Sequence, residues 1–443
     1  MNRRNTQEGG QAFGRALALV ALCMLMALGS AYGQDASRQS LQDRVMDEQQ
    51  ARQWVNQIPE QVIAWLKTIQ HQPSTPDEPW GLFTFSVDSK VPYSLPSTAL
   101  AWLVIQSFGG IEKYPGYPSD GKSRMAAFLQ KFQEPKTGVF IDPALEARLG
   151  DKSEEVVKRF RADITKWTRN MVMYCGAQPL YPYSSGGAGG TFDTQAYLKR
   201  LREADWTKSW EVGSHAGFQT VELFEMVNRG RDDCIPALEE GIKIILQNQN
   251  AKTGMWGRED LPLEQQLGGA LKVILRFQFN MGLIVPHMER LADSLIRIHK
   301  SPDFSRSGSD TIVARNVAEL AYACMAASDY RKQELRPILV DLISVMRAHE
   351  QPDGGFSRQQ TGKDPIVFHG ASIAPASQKP RGDIHGLQST VYALENVYHW
   401  LGWTDGPWPP RPDWREELAR REHKYTIQIG ESGEVSVRRK AEP

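Results

Sequence analysis

Two kinds of apolar pattern alternate along this chain. In the first, one face is apolar: Ile235, Leu238, Ile242 and Ile245 recur at helical spacing, with Glu239 and Glu240 in the early turns and Asp233 placed to cap. Leu335, Leu339, Leu342 and Met346 repeat that pattern farther on. In the second kind, of which residues 311–327 ("TIVARNVAELAYACMAA") are the example, apolar and alanine positions run almost all round. A helix so composed is covered on every side. Stretches of the second kind start near Ser97, Ile164, His215, Gly269, Thr311 and His385. Six one-sided helices alternating with six covered ones predict an all-α domain over residues 51–403, an (α/α)6 toroid of six helical hairpins. An open solenoid is the alternative, because two-helix units also stack linearly.

A short motif recurs between the paired helices. "QEPKTGVF" begins at Gln133, "QNAKTGMW" at Gln249, and "HEQPDGGFSR" at His349. With degenerate copies included, the aromatic markers Trp80, Phe140, Trp206, Trp256, Phe304 and Phe356 are spaced by 60, 66, 50, 48 and 52 residues. Such a long-range period belongs to a repeat architecture. The glycine lets the chain turn tightly after the first helix, and the aromatic is expected to pin that turn. The motif resembles the repeat of squalene–hopene cyclases and protein prenyltransferases, and the resemblance implies an α/α barrel with the motif after each outer helix. The acidic DxDD run of the cyclases is absent, since Asp232 and Asp233 in "RDDCIP" are the only paired aspartates. Barrels of this kind also serve polysaccharide lyases and glycosidases, so the resemblance leaves the chemistry open.

Composition adds the compartment. Arg3, Arg4 and Arg15 precede the uncharged run "ALALVALCMLMALGSA", with small residues before Gln34, so residues 1–33 read as a secretory signal peptide. The chain is therefore expected to be exported, periplasmic or extracellular, with residues 34–50 a polar lead-in. Without the leader, 49 basic residues face 51 acidic ones, which argues against nucleic acid or a membrane surface as partner. Cys175, Cys234 and Cys324 remain, spaced for neither a disulfide framework nor zinc. Residues 404–443 are Pro-rich, then charged, and end in "YTIQIGESGEVSVRR", whose alternation predicts a β-hairpin.

The connections into the covered helices are long and should gather at one mouth, where positive helix ends favour an anion. Trp206, Trp210, Trp256, Phe304 and Phe368 offer ring faces to sugars there. Polar stripes break the apolar helices: His215, Gln219 and Glu222; Arg315, Asn316 and Glu319; His385, Gln388, Tyr392 and Asn396 after Asp383; Asn170 and Tyr174; Lys272 and Arg276. Charges seldom sit on a covered helix without a purpose. One reading is a polysaccharide lyase that cleaves a uronic-acid glycan by β-elimination. Arg315, Asn316 or Asn170 would neutralise the uronate, and Tyr174, His215, His385 or Tyr392 would move the ring proton. Helix ends are expected to hold His215 and His385 neutral. Trp210, Trp256, Gln219 and Gln388 would line the subsites. A glycoside hydrolase drawing on Glu211, Glu222, Asp260, Asp310 and Asp383 is the second reading. A glycan-binding toroid without catalysis is the third. The partner in each case is a polysaccharide or oligosaccharide bound by a monomer, with no cofactor and no metal.

Overall fold

In the computed structural model the described residues are 46–181, 192–301 and 311–440, so the expected leader, Phe304 and Asp310 lie outside them. The described residues are 55% helical, with fourteen α-helices and two small antiparallel hairpins among them, which makes the fold all-α. The one-sided helices are α1 (Glu48–Ile69), α3 (Gly121–Gln130), α6 (Thr194–Arg202), α8 (Ile235–Gln247), α10 (Met288–His299) and α12 (Lys332–Arg347). Alternating with them are α2 (Leu95–Gln106), α5 (Glu154–Tyr174), α7 (Ser209–Asn228), α9 (Leu263–Met281), α11 (Thr311–Ala327) and α13 (Ile384–Trp400). Short helices α4 (Pro143–Glu146) and α14 (Trp414–Ala419) complete the set.

Packing follows the two patterns. Leu238, Ile242 and Ile245 of α8 are buried, as are Leu335, Leu339, Leu342 and Met346 of α12. In the second set, α2 packs on both α5 and α13, α7 on α9, α9 on α11, and α11 on α13. The one-sided α12 also meets α1, the first helix among the described residues.

Several boundaries differ from the periodicity. Helices α5, α7 and α9 begin at Glu154, Ser209 and Leu263, one to three turns before the expected Ile164, His215 and Gly269. Their first turns are polar ("EEVVKRFRAD", "SWEVGS", "LEQQLG"), and a polar turn carries no apolar period to read. Asp233 caps nothing: Cys234 is the N-cap of α8, and Asp233 takes two bonds from Arg231, at 2.9 and 2.7 Å. Residues 46–50 belong to the fold, because Asp47 and Gln50 form a capping box on α1 and the Met46 N–H donates to Ser344 Oγ.

The repeated motif has one geometry. Gln133 pairs with Phe140 and Gln249 with Trp256 as isolated antiparallel bridges. In each copy the glutamine amide donates twice, to the motif glycine carbonyl (Gly138 or Gly254, both 2.9 Å) and to a later loop (Tyr181 or Pro286, both 2.7 Å). Gly254 has φ 72°, and a Cβ there would fall 2.6 Å from His287 O, so only glycine fits. The loops reached precede α6 and α10, so each glutamine ties one repeat to the next. Glu350 pairs with Phe356 in a third copy, and Gln70 with Phe83 in a fourth. In that fourth copy the aromatic is Phe83, not the expected Trp80. Trp206 makes no such bridge among the described residues and lies in a 3-10 turn.

Two β-hairpins accompany the helices. Strands β1 (Ile366–Phe368) and β2 (Ala371–Ala374) lie inside the connection to α13, which the sequence reads as loop. Strands β3 (Tyr425–Ile429) and β4 (Val435–Arg439) form the expected C-terminal hairpin. It straps α8 from outside: Val437 N donates to Glu239, and the Tyr425 hydroxyl to Asp232. Between α13 and this hairpin, the chain crosses the C-terminal ends of the covered helices. Trp408 packs on Phe108 and Tyr398, and Arg415 donates to the Ala326 carbonyl.

Candidate functional site

Five of the covered helices and the crossing segment enclose a cavity of about 570 Å³. Leu103 and Gln106 come from α2, Trp167 from α5, and Lys272, Leu275 and Arg276 from α9. Arg315 and Glu319 come from α11, Gln388, Tyr392 and Glu395 from α13, and Pro409 and Arg411 from the crossing segment. Helical spacing puts these groups on one face of each element: Lys272 and Arg276 are i and i+4, as are Arg315 and Glu319, and Gln388 and Tyr392.

The charge inside is mostly positive. Glu319 is buried, and its Oε1 lies 3.5 Å from Arg315 Nε. The Arg315 guanidinium also sits 5.5 Å from the Tyr392 ring. Arg276 lies 4.0 Å from the ring of Phe218, and the Lys166 ammonium is 4.9 Å from that same ring. Lys272 reaches the ring of Trp210 at 5.8 Å. Glu395 is matched by Arg411 at 2.6 Å, and Arg411 donates also to Asn396, at 2.9 Å.

Proton affinities reflect this crowding. Burial, then the Arg315 charge, push the Lys272 ammonium down to about 8, with Arg276 and Lys166 adding to the effect and Glu319 opposing it. Burial and Arg276 push Lys166 down too. Burial raises the Glu319 carboxyl, against the pull of Arg315, Lys272 and Arg276. The Tyr392 hydroxyl is pushed up by burial and by Glu319, so it rests protonated.

A second pocket of about 370 Å³ lies toward the start of α13 and is lined by Phe85, Arg358, Phe368, Asp383 and His385, among others. Burial, then the charges of Arg358, His369 and Arg315, drive His385 down to about 3. The imidazole is neutral as expected, but the first cause is burial, not a helix end. Arg315 acts on both His385 and Lys272, and His385, Gln388 and Tyr392 follow one face of α13 from one pocket to the other.

The other sequence candidates fall elsewhere. His215, Glu211 and Glu222 are exposed, and Glu211 is 3.9 Å from Arg159. His215 lies two turns into α7, away from its positive end. Gln219 is half-buried on the same helix, and neither it nor His215 lines the cavity. Tyr174 is the last residue of α5, and Asn170 stands one turn before it, so both belong to the opposite end from the helix starts. They line a separate pocket with Trp102. Asn316 is buried outside the cavity, and neither of its amide atoms has a partner among the described residues. Trp256 is fully buried with its Nε1 on the Ile245 carbonyl, so it offers no ring to a ligand. Trp210 packs its ring against Gly268. Asp383 is the N-cap of α13, taking the Gly386 and Arg358 N–H groups at 2.7 and 2.9 Å. Asp260 is spent on Arg258.

Lys272 and Arg276 are visible in sequence as ionisable residues in an otherwise apolar run, "ALKVILRFQF". Lys166, Trp167, Phe218, Glu395 and Arg411 carry no such signal, because their approach to the cavity depends on helix rotation and on a distant segment. Among the described residues no group of His, Cys, Asp and Glu has the arrangement of a metal site, and no helix is long and apolar enough to cross a membrane. Scans of protein-family models, curated proteins and solved structures each return no match to the chain.

Proposed function

We propose that this chain is an exported, carbohydrate-active (α/α)6 toroid that cleaves a uronic-acid glycan by β-elimination. Support for the toroid is the order of packing: α2, the first covered helix, meets α13, the last, while α1 meets α12. Support for the chemistry is one observation, the set of Lys272, Arg276 and Arg315 facing one carboxylate, Glu319, inside a cavity with aromatic walls. A uronate carboxylate there would gain two guanidinium donors, which stabilise the charge that develops as the adjacent ring proton leaves.

Tyr392, which lines the cavity beside Arg315, carries both proton transfers, while His385 lines the second pocket two turns earlier on α13. The Tyr392 phenolate, reached at a cost that the Arg315 charge lowers, accepts the proton from the carbon next to the uronate carboxylate. That electron pair forms the ring double bond, the bond to the leaving glycosidic oxygen breaks, and the same hydroxyl returns the proton to that oxygen. Glu319 and Glu395 are the carboxylates that line the cavity, each beside an arginine, and a hydrolase would have to use them. The discriminating experiment digests a panel of acidic and neutral polysaccharides and follows both ultraviolet-absorbing unsaturated ends and new reducing ends. Unsaturated ends, lost by 10² or more in Tyr392→Phe and Arg315→Ala, support elimination. Reducing ends without unsaturation, abolished by Glu319→Gln, would replace it with hydrolysis.

A further inference from the structure

A single carboxylate is too little charge for this cavity. Lys272, Arg276 and Arg315 face Glu319 alone, since the other lining carboxylate, Glu395, is already matched by Arg411. Lys166 adds a further cation beside Arg276, the two lying 4.9 and 4.0 Å from the Phe218 ring. Asp163, which also meets His369 Nδ1 at 2.9 Å, opposes the Lys166 charge, so the excess lies with Lys272, Arg276 and Arg315. Among the described residues, Lys272 and Arg276 have no carboxylate or carbonyl partner; aromatic faces are what they meet. Arg315 Nε is buried and lacks a hydrogen bond. Cations held this way retain unsatisfied donors and repel one another, and an anion of matching charge removes both costs.

We infer that the cavity is built for a ligand segment bearing at least two negative charges close together, such as a sulfate ester beside a uronate or two adjacent uronates. Lys272, Arg276 and Arg315 form the site, and Lys166 extends it. That the carrier is a glycan rests on the proposed function. The anion site itself stands on the charge count.

Inorganic sulfate is the first probe, with acetate at equal ionic strength as the monoanion control, read by the fluorescence of Trp167 and the other tryptophans or by calorimetry. The full exported chain should bind sulfate saturably and acetate at least tenfold more weakly. Lys272→Gln and Arg276→Gln should each weaken sulfate at least tenfold. Lys122→Gln, which removes a cation paired with Glu112 away from this cavity, should leave it unchanged. Hexasaccharides of alternating uronate and amino sugar, with and without sulfate esters, separate the two sources of charge. Tighter binding of the sulfated form identifies the ester, while equal binding with sulfate still saturable identifies paired carboxylates. Sulfate binding with no cleavage of any polymer would remove the proposed elimination and keep the anion site. Cleavage of a uronate polymer with KM unchanged in Lys272→Gln and Arg276→Gln, or sulfate binding that never saturates, would overturn the site and leave elimination standing.

Discussion

Replacing Lys272 by methionine should make the empty protein more stable, not less. The change keeps an unbranched chain of similar length and removes the charge. The ammonium falls from its ordinary 10.5 to about 8 in the fold. At about 1.4 kcal/mol per tenfold in proton affinity, this corresponds to roughly 3 kcal/mol of lost hydration and repulsion. Lys272 is only partly buried, and water in the cavity screens it, so about 1–2 kcal/mol of that cost is expressed. Losing the contact with the Trp210 ring at 5.8 Å removes roughly 0.5–1 kcal/mol in the other direction. The net gain is about 1 kcal/mol at pH 7, or about 1 °C in the melting temperature of a domain this large.

The pH dependence carries the sharper test. Native Lys272 releases its proton near 8 and the unfolded chain near 10.5, so between those values the unfolded state holds more protons. Wild-type stability therefore rises with pH across that window, and the variant lacks this rise. Thermal unfolding of both proteins in low-salt chloride buffer, from pH 7 to pH 11, should show the variant's advantage shrinking between 8 and 10.5. A variant that melts well below wild type at pH 7, or a gap that stays constant to pH 11, would mean that the ammonium is not strained. The charge argument for the cavity would then fail.

Other outcomes are equally measurable. Because the His385 imidazole titrates near 3 in the fold and near 6.5 in the open chain, stability should fall as pH drops below 6.5; His385→Gln should flatten that limb in calorimetry. Gln249→Leu leaves the Gly254 and Pro286 carbonyls without their donor and should cost about 1–3 kcal/mol in urea unfolding, with ligand affinity unchanged. Trp256→Ala should cost about 3–5 kcal/mol, the scale for deleting a buried aromatic, and a surviving fold with weakened glycan binding alone would contradict its placement. Amino-terminal sequencing of the exported protein should begin within a few residues of Gln34.

The sequence by itself determined what depends on neighbours along the chain. Helical spacing of Leu238, Ile242 and Ile245 identifies the buried stripe of α8, and the all-round apolar composition of α11 identifies a covered helix, because burial of a face needs a period of 3.6 and nothing else. The glutamine–glycine–aromatic motif marks its turn because a left-handed residue is needed there, and the alternation in "YTIQIGESGEVSVRR" marks its hairpin. Tertiary structure decided what depends on rotation and distance. Polar first turns hid the starts of α5, α7 and α9, which moved His215 away from a helix end and Tyr174 to the far end of α5. Trp256 and Asp383 have the residue types of a sugar site, yet one fills the core and the other caps α13, since nothing local tells an aromatic or a carboxylate which side it will face. Lys272, Arg276 and Arg315 come together with Glu319 only because α9, α11 and α13 pack side by side. Arg411 joins them from a segment whose position is set by Trp408 lodging against Phe108 and Tyr398. Charge accumulates in the cavity through that packing, and a linear reading of charges along the chain, nearly balanced overall, averages it away.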